Sequence, residues 1–104
     1  MLAVAHVGTA QIPARKFSHP VNPKGFAEEC FRLPAGASIG YAFESTAPVD
    51  FNIHHRGRDI EYPVKAEGVR HADERFVAAS AEEYCLMWTN RSDEPVAITG
   101  TLSP

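Results

Sequence analysis

The sequence predicts an all-β fold, an antiparallel β-sandwich of jelly-roll type built from about seven or eight short strands. Apolar and polar residues alternate in several short runs, and Gly, Pro or polar clusters separate those runs. No stretch carries the 3.6-residue stripe of a long amphipathic helix. With 104 residues, 11.4 kDa, 44% apolar and 10% aromatic residues, the chain has material for one hydrophobic core but not for a cofactor domain plus a substrate domain.

The elements follow in chain order. Residues 1–25 hold Gly8, Pro13, Pro20, Pro23 and Gly25, a density of breakers that leaves room for one short strand, Ala14 to Phe17. This segment reads as a Pro-rich N-terminal arm laid on a domain of residues 26–104. In Ser38 to Glu44, Ile39, Tyr41 and Phe43 alternate with Gly40 and Ala42. In Val49 to His55, Val49, Phe51 and Ile53 alternate with Asp50, Asn52 and His54. Both patterns are those of half-buried strands. Thr46-Ala-Pro-Val between them predicts a turn, because Pro is poorly accommodated inside a sheet. Arg56-Gly-Arg-Asp predicts a hairpin into Ile60, Tyr62 and Val64, and Glu67-Gly-Val predicts a second break before Arg75 to Ala78. Tyr84, Leu86 and Trp88 against Cys85, Met87 and Thr89 form the clearest alternation, with Trp88 placed in the core. A polar turn from Asn90 to Pro95 leads to the last strand, with Val96, Ile98 and Leu102. Each strand offers a single apolar side, so one flat sheet could not bury them all; two sheets packed face to face can.

Charge and hydropathy narrow the function classes. Ten Lys and Arg against 13 Asp and Glu give a net charge of −3, without the basic stripe that nucleic acid requires. The apolar runs fall far short of the roughly 20 residues of a membrane span. The N-terminus lacks a basic region and His6 interrupts its apolar run, so it makes a poor signal peptide.

Three local patterns resemble one family. Glu29-Cys30-Phe31 followed by an Ala-Gly turn into Ile39 to Phe43, then Val49 to His54 with a charged hairpin behind it, then Phe76 followed by Tyr84-Cys85-Leu-Met-Trp-Thr-Asn90, together resemble the Golgi-dynamics (GOLD) domain over residues 27–102. The resemblance implies a β-sandwich that binds proteins. The coiled coil, membrane span and cytoplasmic tail of receptor-type members have no counterpart in this sequence. It also implies a disulfide, since Cys30 and Cys85 stand where receptor-type members have one. The bond would close a loop worth roughly 4 kcal/mol in the chain-entropy model and would imply an oxidising compartment: periplasmic, secreted or lumenal. The alternative is two buried free thiols. In a eukaryotic secretory pathway Asn90-Arg91-Ser92 would match a glycosylation acceptor.

A second chemistry is available to the histidines. His54, His55 and His71 lie in or near the strand and hairpin region, and Cys85 and Met87 share a strand face, so His54, His55, His71 and Met87, with or without Cys85, could hold copper. A blue-copper site is excluded because no His follows His71, and a zinc knuckle because there is no paired Cys spacing. In phase, His55 falls with the apolar set and His54 with the solvated one. Nucleophilic catalysis lacks a local signature, and so does phosphate binding. The sequence therefore points to a non-enzymatic interaction module without a cofactor. Its partner would be a protein, met through Arg56 and Arg58 on the charged hairpin, with self-association through an edge strand as a further expectation. Copper binding is the alternative.

Overall fold

The computed structural model describes residues 12–104. Residues 1–11 lie outside the described residues, and with them fall His6, Gly8 and the reading of the N-terminus as a poor signal peptide. Among the described residues six strands are present: β1 (Arg15–Val21), β2 (Phe26–Leu33), β3 (Ser38–Arg56), β4 (Ile60–Val77), β5 (Glu82–Thr89) and β6 (Val96–Ser103). They form one antiparallel sheet in the order β1-β6-β3-β5-β2, with β4 paired to β3.

The sheet curls on itself because β3 serves two neighbours in succession. Its first half pairs with β6 from Gly40 to Ser45, and its second half pairs with β5 from Asp50 to His55. One layer is therefore β1, β6 and the first half of β3; the other is β2, β5 and the second half. β4 lines both. Aromatic contacts across the interior show the layers facing each other. Tyr41 and Phe51, on opposite halves of β3, have ring centroids 5.6 Å apart. Phe17 of β1 lies 5.3 Å from Trp88 of β5, and Phe43 meets the same indole edge-on at 5.5 Å. Trp88 is fully buried, as its phase predicts.

The strand count is lower than expected because two predicted breaks are bends within continuous strands. Pro48 sits where β3 has left β6 and not yet met β5, and the β4 register also skips from Glu44 to Val49. At that point no ladder needs its missing N–H. Gly68 on β4 takes up the facing curvature with φ of 63°, and its N–H donates to Asp50 Oδ1 at 3.1 Å. The bend thus costs β4 no side chain in a left-handed backbone. Pro63 falls in another gap, between the pairs Ile53–Val64 and His55–Glu61. The predicted hairpin forms, Arg56 facing Ile60 and the Gly57 N–H donating to Asp59 O at 3.0 Å.

The first strand is longer than Ala14 to Phe17 and takes a full place in the sheet. β1 pairs with β6 from Arg15 opposite Leu102 to Val21 opposite Val96. Phe17 and Val21 are both core residues. Pro20 fits because β1 is an edge strand.

Candidate functional site

The outer face of the β2–β5–β3 layer carries the chemistry-bearing side chains. Cys30 of β2 and Cys85 of β5 are directly opposed, and they form a disulfide with Cα atoms 4.0 Å apart. On the other side of β5, Cys85 faces His54 of β3, and Met87 faces Asn52. Facing residues of adjacent strands share a face of the sheet, so His54, Asn52, Cys85, Met87, Cys30 and Glu28 all project outward together. The disulfide lies in a shallow depression bordered by Glu28, Arg32, His54 and Arg56.

His54 is only 5% exposed despite this outward phase. Tyr62 of β4 lies beside it, ring centroids 5.9 Å apart, at the gap in the β3–β4 register. Glu28 and Asn52 fix the imidazole from its two sides. Nδ1 lies 2.8 Å from Asn52 Oδ1, and Nε2 lies 3.1 Å from Glu28 Oε2. The solvated position expected for His54 is thus corrected: it points outward, yet side chains of its own and three other strands surround it. Glu28, His54 and Cys85 each bring a potential ligand atom within 4.8 Å of the others.

The copper set is brought together only in part. His54 and Met87 share the outer face. His55 turns to the opposite face, where its ring packs edge-on against Tyr84 at 5.0 Å, and its Nδ1 lies 3.9 Å from Glu82 Oε2. His71 pairs with Glu44 along the half of β3 that belongs to the other layer. Sequence phase separated His55 from His54 correctly, but only the topology shows that His71 belongs elsewhere.

Arg56 and Arg58 are exposed at the β3–β4 hairpin. Beside them Ile60 and Tyr62 are 40% and 46% exposed, and Lys65 Nζ stands 4.9 Å from the Tyr62 ring centroid. Here begins the edge of β4 that has no partner strand among the described residues, where β4 pairs with β3.

Two other polar groups are structural. Asn90 is fully buried. Its Nδ2 donates to the carbonyls of Val21, Asn22 and Glu94, while Oδ1 accepts from the Ser92 N–H and hydroxyl. In the folded protein an amide so enclosed is no acceptor for a glycan; the residue holds the β5–β6 turn against the β1–β2 turn. Between β1 and β2, Glu29 takes His19 Nε2 at 2.6 Å and Arg15 Nε at 3.2 Å.

Two titratable groups are shifted by identifiable causes. The Arg91 side-chain hydrogen bond, with help from the Gly68 N–H, holds the Asp50 carboxyl below its ordinary range. Burial, with the Glu74 charge nearby, pushes the Tyr41 phenol up.

No protein-family model matches the chain, and no curated protein matches it. Solved structures do. The pre-peptidase C-terminal domain of collagenase from Bacillus anthracis matches with a TM-score of 0.66 at 10% identity, over 88% of this chain and 90% of that one. The Yersinia pseudotuberculosis-derived mitogen matches at 0.62 with 14% identity, over 88% and 86% of the two chains. PliG of Aeromonas hydrophila, a periplasmic inhibitor of g-type lysozyme, matches at 0.61 with 12% identity, over 89% and 87%. At such identities the likeness is one of fold: the protein is a small all-β domain of sandwich type.

Proposed function

We propose that this domain is a non-enzymatic module that binds another protein through the β3–β4 hairpin and the adjoining edge of β4. One observation carries the reading. At the hairpin an exposed Tyr62 and Ile60 stand next to Arg56 and Arg58, and aromatic and Arg side chains are enriched in protein interfaces. The edge of β4, unpaired among the described residues, adds backbone donors and acceptors that an extended segment could continue as a further strand. Such a segment could come from a partner or from a second copy of this chain. Among the similar folds, PliG is named for inhibiting a lysozyme, an act of protein recognition on a comparable scaffold. The disulfide and that periplasmic neighbour fit a periplasmic, secreted or lumenal setting. The GOLD resemblance agrees with protein binding.

The test is positional. A photo-crosslinking amino acid at Arg58 should trap a partner that the same group at Thr99, on the other layer, does not. Reversing both charges, Arg56→Glu with Arg58→Glu, should then weaken that partner at least about tenfold, or roughly 1.4 kcal/mol, by calorimetry. Equal trapping from both positions, or unchanged affinity in the double variant, removes this surface from consideration.

A further inference from the structure

The geometry points to a latent metal site on the outer face of the β2–β5–β3 layer: when the Cys30–Cys85 disulfide is reduced, the two cysteines, His54 and Glu28 bind one zinc ion. The site draws its ligands from three adjacent strands. Cys30 and Glu28 come from β2, Cys85 from β5 and His54 from β3. The carboxylate, the imidazole and the Cys85 sulfur already lie within 4.8 Å of one another. The fourth ligand atom, on Cys30, is held against Cys85 by the bond to be broken. Two thiolates, an imidazole and a carboxylate are a donor set that zinc accepts in tetrahedral geometry.

The surroundings of His54 support a ligand role. Asn52 Oδ1 takes the Nδ1 side of the ring at 2.8 Å, the position from which outer partners of metal-bound histidines fix the tautomer. That leaves Nε2 turned toward Glu28, at 3.1 Å, as the nitrogen available to a cation. The ring is buried and oriented before any ion arrives, so little rotamer freedom remains to be lost. The depression bordered by Arg32 and Arg56 gives a reductant access to the sulfurs.

The reaction balances with a dithiol as reductant. One of its thiolates attacks a sulfur of the protein disulfide, and its second thiol resolves the mixed disulfide. The dithiol is oxidised to a disulfide, and its two electrons and two protons leave Cys30 and Cys85 as thiols. Zinc then displaces both thiol protons to water. A covalent tie between β2 and β5 is exchanged for coordinate bonds that also include β3.

The experiment uses the whole chain, oxidised or reduced with a dithiol that is then removed under anaerobic conditions. Zinc binding is followed by calorimetry, and cobalt(II) substitution by its thiolate charge-transfer and tetrahedral ligand-field bands. The reduced protein should bind one equivalent and the oxidised protein none. His54→Gln should weaken binding to the reduced form at least tenfold, and Glu28→Gln should weaken it severalfold. Circular dichroism of each reduced variant separates loss of ligand from loss of fold. Equal zinc binding by both redox forms overturns the proposal. So does full affinity in a folded His54→Gln variant, or a reduced chain that unfolds and fails to refold on zinc.

Discussion

The sandwich has two flanks, and they are closed by different means. On one flank β1 and β2 are separate strands joined by the short turn after Val21, and side chains must hold the layers together. Arg15 Nη2 donates to Cys30 O at 2.5 Å and its Nε pairs with Glu29, which also takes His19. His19 in turn lies over Trp88, centroids 5.9 Å apart. On the other flank β4 bends round both layers, so the backbone itself makes the closure. No side-chain clasp is needed there, and the space between its two halves is a groove lined by Val64, Ala66, Val69 and Ala72 over Tyr41 and Phe51. The first flank is thus held by an ion-pair clasp, whereas the one closed by the chain leaves the β4 edge unpaired among the described residues.

The largest test removes the residue through which the two layers meet. Trp88→Ala should cost about 3–5 kcal/mol in urea unfolding, because the indole meets Phe17 and His19 from β1 as well as Phe43 and Phe51 from β3. A loss under about 1 kcal/mol would show that the layers are not joined through it. The contrast itself is measured by a matched pair. Glu29→Gln should cost about 1–3 kcal/mol by weakening the clasp, while Val64→Ala should stay below about 1 kcal/mol because its side chain is only partly buried at the groove. Equal losses at the two positions would erase the distinction.

The smallest effect belongs to Asp50 at the bend, and it is read as a pH dependence. Its carboxyl is held below its ordinary value of 3.8 in the folded protein. The contribution is therefore complete above that value and is lost as pH falls through the lower, folded-state value. Arg91 is an exposed partner, which keeps the effect small. Urea midpoints of wild type and Asp50→Asn, measured from neutral pH downward, should differ most near neutrality and converge in acid. A constant gap would assign the Asp50 contribution to something other than its charge.

Much of the fold is legible in local alternation. The phases of Ile39 to Phe43, of Val49 to Ile53 and of Tyr84 to Trp88 reproduce the buried set, because a pleated strand turns every second side chain to the core. Pro48 and Gly68 are not legible as bends. Whether a Pro ends a strand depends on whether a neighbour needs its N–H, and that is decided by where β6 stops and β5 begins. The same limit applies to His54. Its burial among Glu28, Cys85 and Tyr62 from three other strands needs the β3–β5, β2–β5 and β3–β4 registers. The pairing of Cys30 with Cys85 was accessible through the GOLD resemblance, whereas the chelating arrangement around it required the topology.

The antiparallel pairing that sets Arg15 opposite Leu102 has a mechanical consequence. A force drawing those two residues apart acts at the end of the β1–β6 ladder and opens it one pair at a time, like a zipper, instead of shearing many bonds at once. Once β1 and β6 have peeled away, the load reaches Cys30 and Cys85, and the covalent bond between them carries it. The chain between the two cysteines, including all of β3 and β4, is then shielded from tension. In the oxidised protein the β3–β4 hairpin therefore sits within a loop that pulling on the ends cannot extend, and reduction would remove that protection.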